Sequence, residues 1–128
     1  MKRARLILGV VAGVMLLASS VAHTFLGWKS LADQLAKTNV PPDLQAGLHI
    51  GWAFGGAAMV VLGFIAVTTF VDRLRGGRAP LSPVIAIAVV YMAFGAWAIS
   101  ASGGDLFFLG VFVVPGALLG LAANGQDT

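Results

Sequence analysis

Four stretches of this chain, roughly residues 6–26, 44–71, 83–101 and 106–122, carry no aspartate, glutamate, lysine or arginine. A helix needs about 20 predominantly apolar residues to cross the hydrocarbon core of a bilayer, and each stretch meets or approaches that length. Backbone amides in lipid have no water to bond, so a lipid-spanning segment satisfies them within a helix or a closed barrel. The expected fold is therefore an all-α integral membrane protein, a bundle of four transmembrane helices. The composition agrees, with 59% hydrophobic and 10% charged residues and a mean hydropathy of +0.94, too apolar for an ordinary soluble domain. The fourth stretch is the shortest and carries Pro115 followed by Gly116. Proline removes one internal hydrogen bond and crowds the preceding turn, so a kink is expected there.

The cations set an orientation. Lys2, Arg3 and Arg5 precede the first span and Arg73, Arg75 and Arg78 separate the second from the third, whereas the other connections hold only Lys29 and Lys37. Cationic loops favour the cytoplasmic side, so both termini are expected there, in a bacterial-type inner or plasma membrane. With no basic stripe interleaved with aromatics, the charge reads as orientation and lipid contact, not nucleic-acid binding. His23, His49, Asp105 and the three tryptophans, Trp28, Trp52 and Trp97, then fall at the extracytoplasmic end. The tryptophans suit an aromatic belt at the membrane surface or a stacking wall for a ligand. Asp105 suits a cap on the fourth span.

Between the first two spans, Trp28, Leu31 and Leu35 recur at helical spacing and Lys29, Asp33 and Lys37 form successive i,i+4 opposite-charge pairs. This predicts a short interfacial helix over about 28–38, or an extension of the first span with Gly27 as its joint. Pro41, Pro42 and Asp43 make a favourable first turn for the second span. A separate reading of the first twenty-two residues is a secretory signal peptide: Lys2, Arg3 and Arg5, an apolar run, then Ser20-Val21-Ala22. Cleavage after Ala22 leaves His23 as an N-terminal copper ligand.

An imidazole within a span is costly and marks a site by default, and His23 and His49 are the only histidines. At 100° per residue, His23 shares a face with Gly9, Ala12, Leu16, Ser19, Ser20 and Gly27, and His49 shares one with Gln45, Trp52, Ala53, Gly56 and Gly63. Gly47, Gly51 and Gly55 form a four-residue glycine repeat about 160° around the helix from His49. Such a repeat lets helices approach closely in lipid. It predicts a homo-oligomer if it faces outward, or packing against the first or fourth span if it does not.

Three roles are open to the histidines. Each imidazole can bond within the bundle, to Ser19, Ser20, Gln45 or the other ring, and hold helix register. Together they can ligate a metal ion or the axial positions of a haem, with Asp105 as a third donor. Or they can serve a lipid-accessible pocket for a hydrophobic small molecule, an isoprenoid, quinone or sterol-like ligand, with Trp52, Tyr91 and Trp97 as walls and a histidine as hydrogen-bond partner or acid/base. Small four-span drug exporters resemble this chain in size but use a glutamate in their first span, and the chain has no glutamate. Vitamin K epoxide reductase-like bundles need cysteines, which are also absent. No phosphate-binding glycine loop, Ser/His/Asp signature or paired intramembrane carboxylates assign an enzyme class.

Overall fold

The computed structural model describes residues 2–124, which form four helices. Helix α1 is continuous but not uniform: it is α-helical over Lys2–Val21, π-helical over Ala22–Gly27 and α-helical again over Trp28–Leu35. Helix α2 spans Pro42–Leu74 and α3 spans Ser82–Ala101. Helix α4 runs from Leu109 to Ala123, with a π-helical first part, Leu109–Val113, ahead of its α-helical part, Val114–Ala123. Helices α1, α2 and α3 are long and apolar enough to cross a membrane, and α4 is a shorter apolar helix.

The helix ends follow local chemistry. Pro41 is extended ahead of α2, Pro42 occupies the first turn without an orphaned N–H, and Asp43 lies near the positive end of the helix dipole. The α2–α3 turn opens on Gly76, whose φ of 88° suits glycine. It is tied by the Asp72 carboxylate, which accepts the Ala79 N–H at 2.9 Å, and by Arg73 Nε, which donates to the Ala79 carbonyl at 2.8 Å. Gly103 and Gly104 make the left-handed turn after α3. The irregularity expected near Pro115 takes the form of the π turn immediately before it. The segment after the first span is no separate element: residues 28–35 extend α1 without a break at Gly27.

Helices α1 and α2 pack antiparallel through glycine seats. Phe70 lies over Gly9, Val67 over Gly13, Leu17 over Gly63, Thr24 over Gly56 and Trp52 over Gly27. Close approach of this kind supplies the van der Waals contact that holds helices together where lipid offers no hydrophobic drive. In the other hairpin, Gly95 of α3 receives Val113 and Phe112, and Gly116 of α4 receives Tyr91 and Met92. Contact between α1 and α4 joins the two hairpins, giving the order α2, α1, α4, α3, while α2 and α3 touch only slightly. Phe70, Leu16, Leu119, Val84 and Ser20 are fully buried at the centre. Outward-facing Val14, Phe25, Phe54, Val61, Phe64 and Val89 remain exposed, an apolar exterior suited to lipid.

This antiparallel order brings Arg3, Arg5, Arg73, Arg75 and Arg78 to one end of the bundle. There Arg5 donates to the Asn124 carbonyl at 2.6 Å and ties the start of α1 to the end of α4. Lengths then create an overhang. The span Arg3–Leu35 of α1 and the whole of α2 are each 33 residues long, about 50 Å at 1.5 Å per residue. The 20 residues of α3 reach about 30 Å, so the tip of the α1–α2 hairpin stands beyond the α3–α4 hairpin at the far end.

Candidate functional site

The π turn in α1 decides which side chains meet at that far end. In an α-helix, His23 and Trp28, five residues apart, would point about 140° away from each other. A π turn bonds i to i+5 and so brings residues five apart onto one face. Both side chains therefore face α2, where His49 and Trp52 lie one helical turn apart. The two pairs interleave. The His23 ring stacks on Trp52 with centroids 4.4 Å apart and planes 4° from parallel, and His49 stacks on Trp28 at 4.0 Å and 7°. Trp28 and Trp52 meet at 6.4 Å, tilted by 53°.

A reciprocal pair of hydrogen bonds locks the inner stack. The Trp52 indole N–H donates to the His23 carbonyl at 2.7 Å, and His23 Nε2 lies 3.1 Å from the Trp52 carbonyl. A carbonyl only accepts, so Nε2 carries the proton in this contact. In the neutral ring Nδ1 is then an acceptor, and it has no hydrogen-bond partner among the described residues. His49 is exposed and held by stacking alone.

The two imidazoles are thus not neighbours: two indole rings stand between them, and a shared ion or haem would require both stacks to separate. No group of three or more His, Cys, Asp or Glu side chains able to hold a metal ion exists among the described residues. The remaining sequence candidates scatter. Ser20 is buried and donates to the Leu17 carbonyl at 2.6 Å. Gln45 is half-buried on α2 and is not among the residues lining the cleft beside His23. Trp97 is exposed on the outside of α3 beside Phe94. Asp105 accepts the Phe107 N–H at 2.9 Å and caps the entry to α4. Tyr91 is buried on α3, and its hydroxyl lacks a hydrogen-bond partner among the described residues. Gly47 and Gly51 face open space, while Gly55 turns toward His23, whose Nε2 lies 3.3 Å from where a Cβ would stand.

Beside the ladder, on the side of His23 and Trp52, a half-open cleft of about 670 Å³ separates α1 and α2 from α4. One wall is a stripe along α1 that includes Ser19, His23, Ser30 and Gln34, and the opposite wall is Phe107, Phe108, Val111 and Phe112 of α4. Stacked and edge-on contacts join Phe108 and Phe107, each to its aromatic neighbours, and stiffen that wall. Both π turns of the molecule, Ala22–Gly27 and Leu109–Val113, border the cleft. Single π turns inside helices recur at functional sites, because the extra residue re-aims side chains that a regular helix would turn away.

Sequence reasoning placed Ser19, His23 and Trp52 here but missed Ser30, Gln34 and the phenylalanine wall. The Phe107-Phe108 pair and Phe112 were visible as aromatics, but their facing α1 follows from the helix order and the second π turn, neither of which has a sequence signal. Comparison with protein-family models, with curated proteins and with solved structures finds no match to this chain.

Proposed function

We propose that this is a four-span membrane protein, with both termini cytoplasmic, that binds a hydrophobic small molecule in the cleft between α1, α2 and α4 at its extracytoplasmic end. The observation that carries the reading is the pairing of an aromatic wall with a hydrogen-bonding stripe across a space of about 670 Å³, the size and mixed lining of ligand pockets. His23 supplies the orienting contact through its free Nδ1. The cation-rich end of the bundle would lie in the cytoplasmic leaflet, where anionic lipids attract it. The cleft would then open near the outer surface, reachable from lipid and from the aqueous side.

Binding of a dansyl-labelled fatty alcohol to the full-length protein in phosphatidylcholine nanodiscs, read by energy transfer from tryptophan, tests this. Wild type is expected to bind saturably, Val111→Trp to lose binding because the indole fills the cleft, and His23→Leu to bind about tenfold more weakly, one hydrogen bond's worth. His49→Leu, changed outside the cleft, is expected to bind as wild type does. Unsaturable partitioning, or equal binding by Val111→Trp, would overturn the reading.

The open flank of α2 favours self-association as well. Gly47 and Gly51 are exposed with no atom within 4 Å of a Cβ position, leaving a smooth strip for another copy of the helix. Gly51→Leu is expected to shift a mild-detergent oligomer toward monomer in sedimentation velocity without changing thermal stability. An unchanged sedimentation profile would remove this interface.

A further inference from the structure

We infer that the cleft selects an uncharged, hydroxyl-bearing amphiphile, lying with its head along the α1 stripe and its chain toward Met59 and Phe112, an inference that rests on the binding role proposed above. The first observation is chemical. No aspartate, glutamate, lysine or arginine lines the cleft, and its hydrogen-bonding residues are serine, histidine, glutamine and tryptophan. An anionic head entering a half-enclosed apolar space loses hydration and needs a cation to replace it. Lys29, Asp33 and Lys37 flank Ser30 and Gln34 in the sequence and Asp105 precedes Phe107, and none of them lines the cleft. Asp105 stands next to the aromatic wall, on the residue pair before Phe107, where a second negative charge is unwelcome.

The second observation is the hydrogen-bonding capacity left open on this stripe. The neighbouring hydroxyls of Ser20 and Thr24 are satisfied by carbonyls of their own helix. Ser19, one turn below His23 and lining the cleft, has no such partner among the described residues, and His23 keeps Nδ1 as an open acceptor. An acceptor nitrogen calls for a donor, and a ligand hydroxyl is the uncharged group that donates to an imidazole and also accepts from a serine.

The third observation is shape. From Ser19 to Gln34 the stripe rises about 22 Å along α1, long and narrow against a flat aromatic wall. Met59 and Phe112 also border a second, open hollow of about 100 Å³, lined by Leu62, Val90 and Phe94 without polar surface. Both residues border both spaces, and methionine is the side chain most easily moved aside. A head-and-chain molecule fits a long, mainly apolar cleft in which Ser19, His23, Ser30 and Gln34 of α1, with Ala22, Leu26 and Leu31 between them, supply the hydrogen-bonding groups, whereas a compact ring system would leave one end empty.

The test is a matched pair of competitors against the dansyl fatty alcohol in the same nanodiscs. 1-Oleoylglycerol and oleoyl lysophosphatidic acid share chain and glycerol and differ in a hydroxyl against a phosphate. The monoacylglycerol is expected to displace the probe at a concentration at least tenfold lower. Ser30→Lys, which adds a cation on the stripe at an exposed position, is expected to raise the apparent affinity for the lysophosphatidic acid at least tenfold and so to narrow or reverse the preference between the two lipids. Equal displacement by the two lipids overturns the inference while the cleft reading stands. Failure of both lipids to displace a probe that does bind also overturns it. No gain in Ser30→Lys overturns the placement of the head on this stripe. Failure of the dansyl probe itself to bind saturably is the separate failure of the proposed function.

Discussion

Replacing Gly63 with leucine is expected to break the α1–α2 hairpin, with a loss of about 3 kcal/mol or more in reversible detergent unfolding. Gly63 is buried, and a Cβ there would stand 2.9 Å from the Leu17 side chain and 3.1 Å from the Leu17 backbone nitrogen. The side chain has rotamers to retreat into, but the helix backbone has none, so α1 and α2 must part along their length. Overpacking costs about 1–3 kcal/mol even where side chains can give way. Here the surfaces lost include the neighbouring seats of Val67 on Gly13 and Thr24 on Gly56. Gly47→Leu makes the same chemical change at an open position on the same helix and is expected to alter stability by less than about 0.5 kcal/mol. Equal effects from the two would mean that the helix face carrying Gly63 is not the one packed on α1.

Trp52→Ala is expected to be comparably severe, about 3–5 kcal/mol, the usual cost of truncating a large packed aromatic. One side chain here stacks on His23, meets Trp28, fills the seat at Gly27 and bonds the His23 carbonyl. That carbonyl belongs to the π turn, where the widened hydrogen-bond pattern makes an outside donor valuable. Trp52→Phe separates the contributions. It keeps a ring against His23 but removes the N–H, leaving the carbonyl short of a donor at a cost of about 1–3 kcal/mol. Amide hydrogen exchange over residues 22–28 is expected to speed up in both variants, while exchange at 60–70 changes little in Trp52→Phe. Unaltered exchange in the π turn would show that the indole N–H does not hold it.

Several elements were legible in the residues because their causes are local. The limits of α2 and α3 follow from Pro41-Pro42 and Ser82-Pro83 at their starts and from glycines after their ends. Asp105 accepts the Phe107 N–H in the turn ahead of α4, a short-range bond between neighbours in sequence. The small-residue faces of α1 and α2 were visible in phase, with Gly9, Ala12 and Leu16 on one and Gly56 and Gly63 on the other, and all five are buried, Gly9 under Phe70, Gly56 under Thr24 and Gly63 under Leu17. The histidine site was legible only in part. A uniform 100° per residue puts His23 and His49 on the small, polar faces of their helices, but it carries Trp28 away from His23. The extra residue accommodated in the π turn reverses that and inserts two indoles between the imidazoles. The glycine repeat shares one stripe by phase, but its neighbours differ along the helix, since Gly55 lies toward His23 while Gly47 and Gly51 are open.

By itself the sequence determined that the chain is helical and apolar, where α2 and α3 start and stop, and which end of the bundle gathers the arginines. These follow from costs paid residue by residue, a backbone that must bond within its own helix and a charge that avoids hydrocarbon. The tertiary structure alone decided that each histidine stacks on the other helix's tryptophan, and that a phenylalanine wall from α4 faces the polar stripe of α1. Those pairings depend on how far each helix is rotated and on where a turn widens. Rotation and widening are set by the glycine seats and aromatic contacts between helices, distant in sequence and absent from any local pattern.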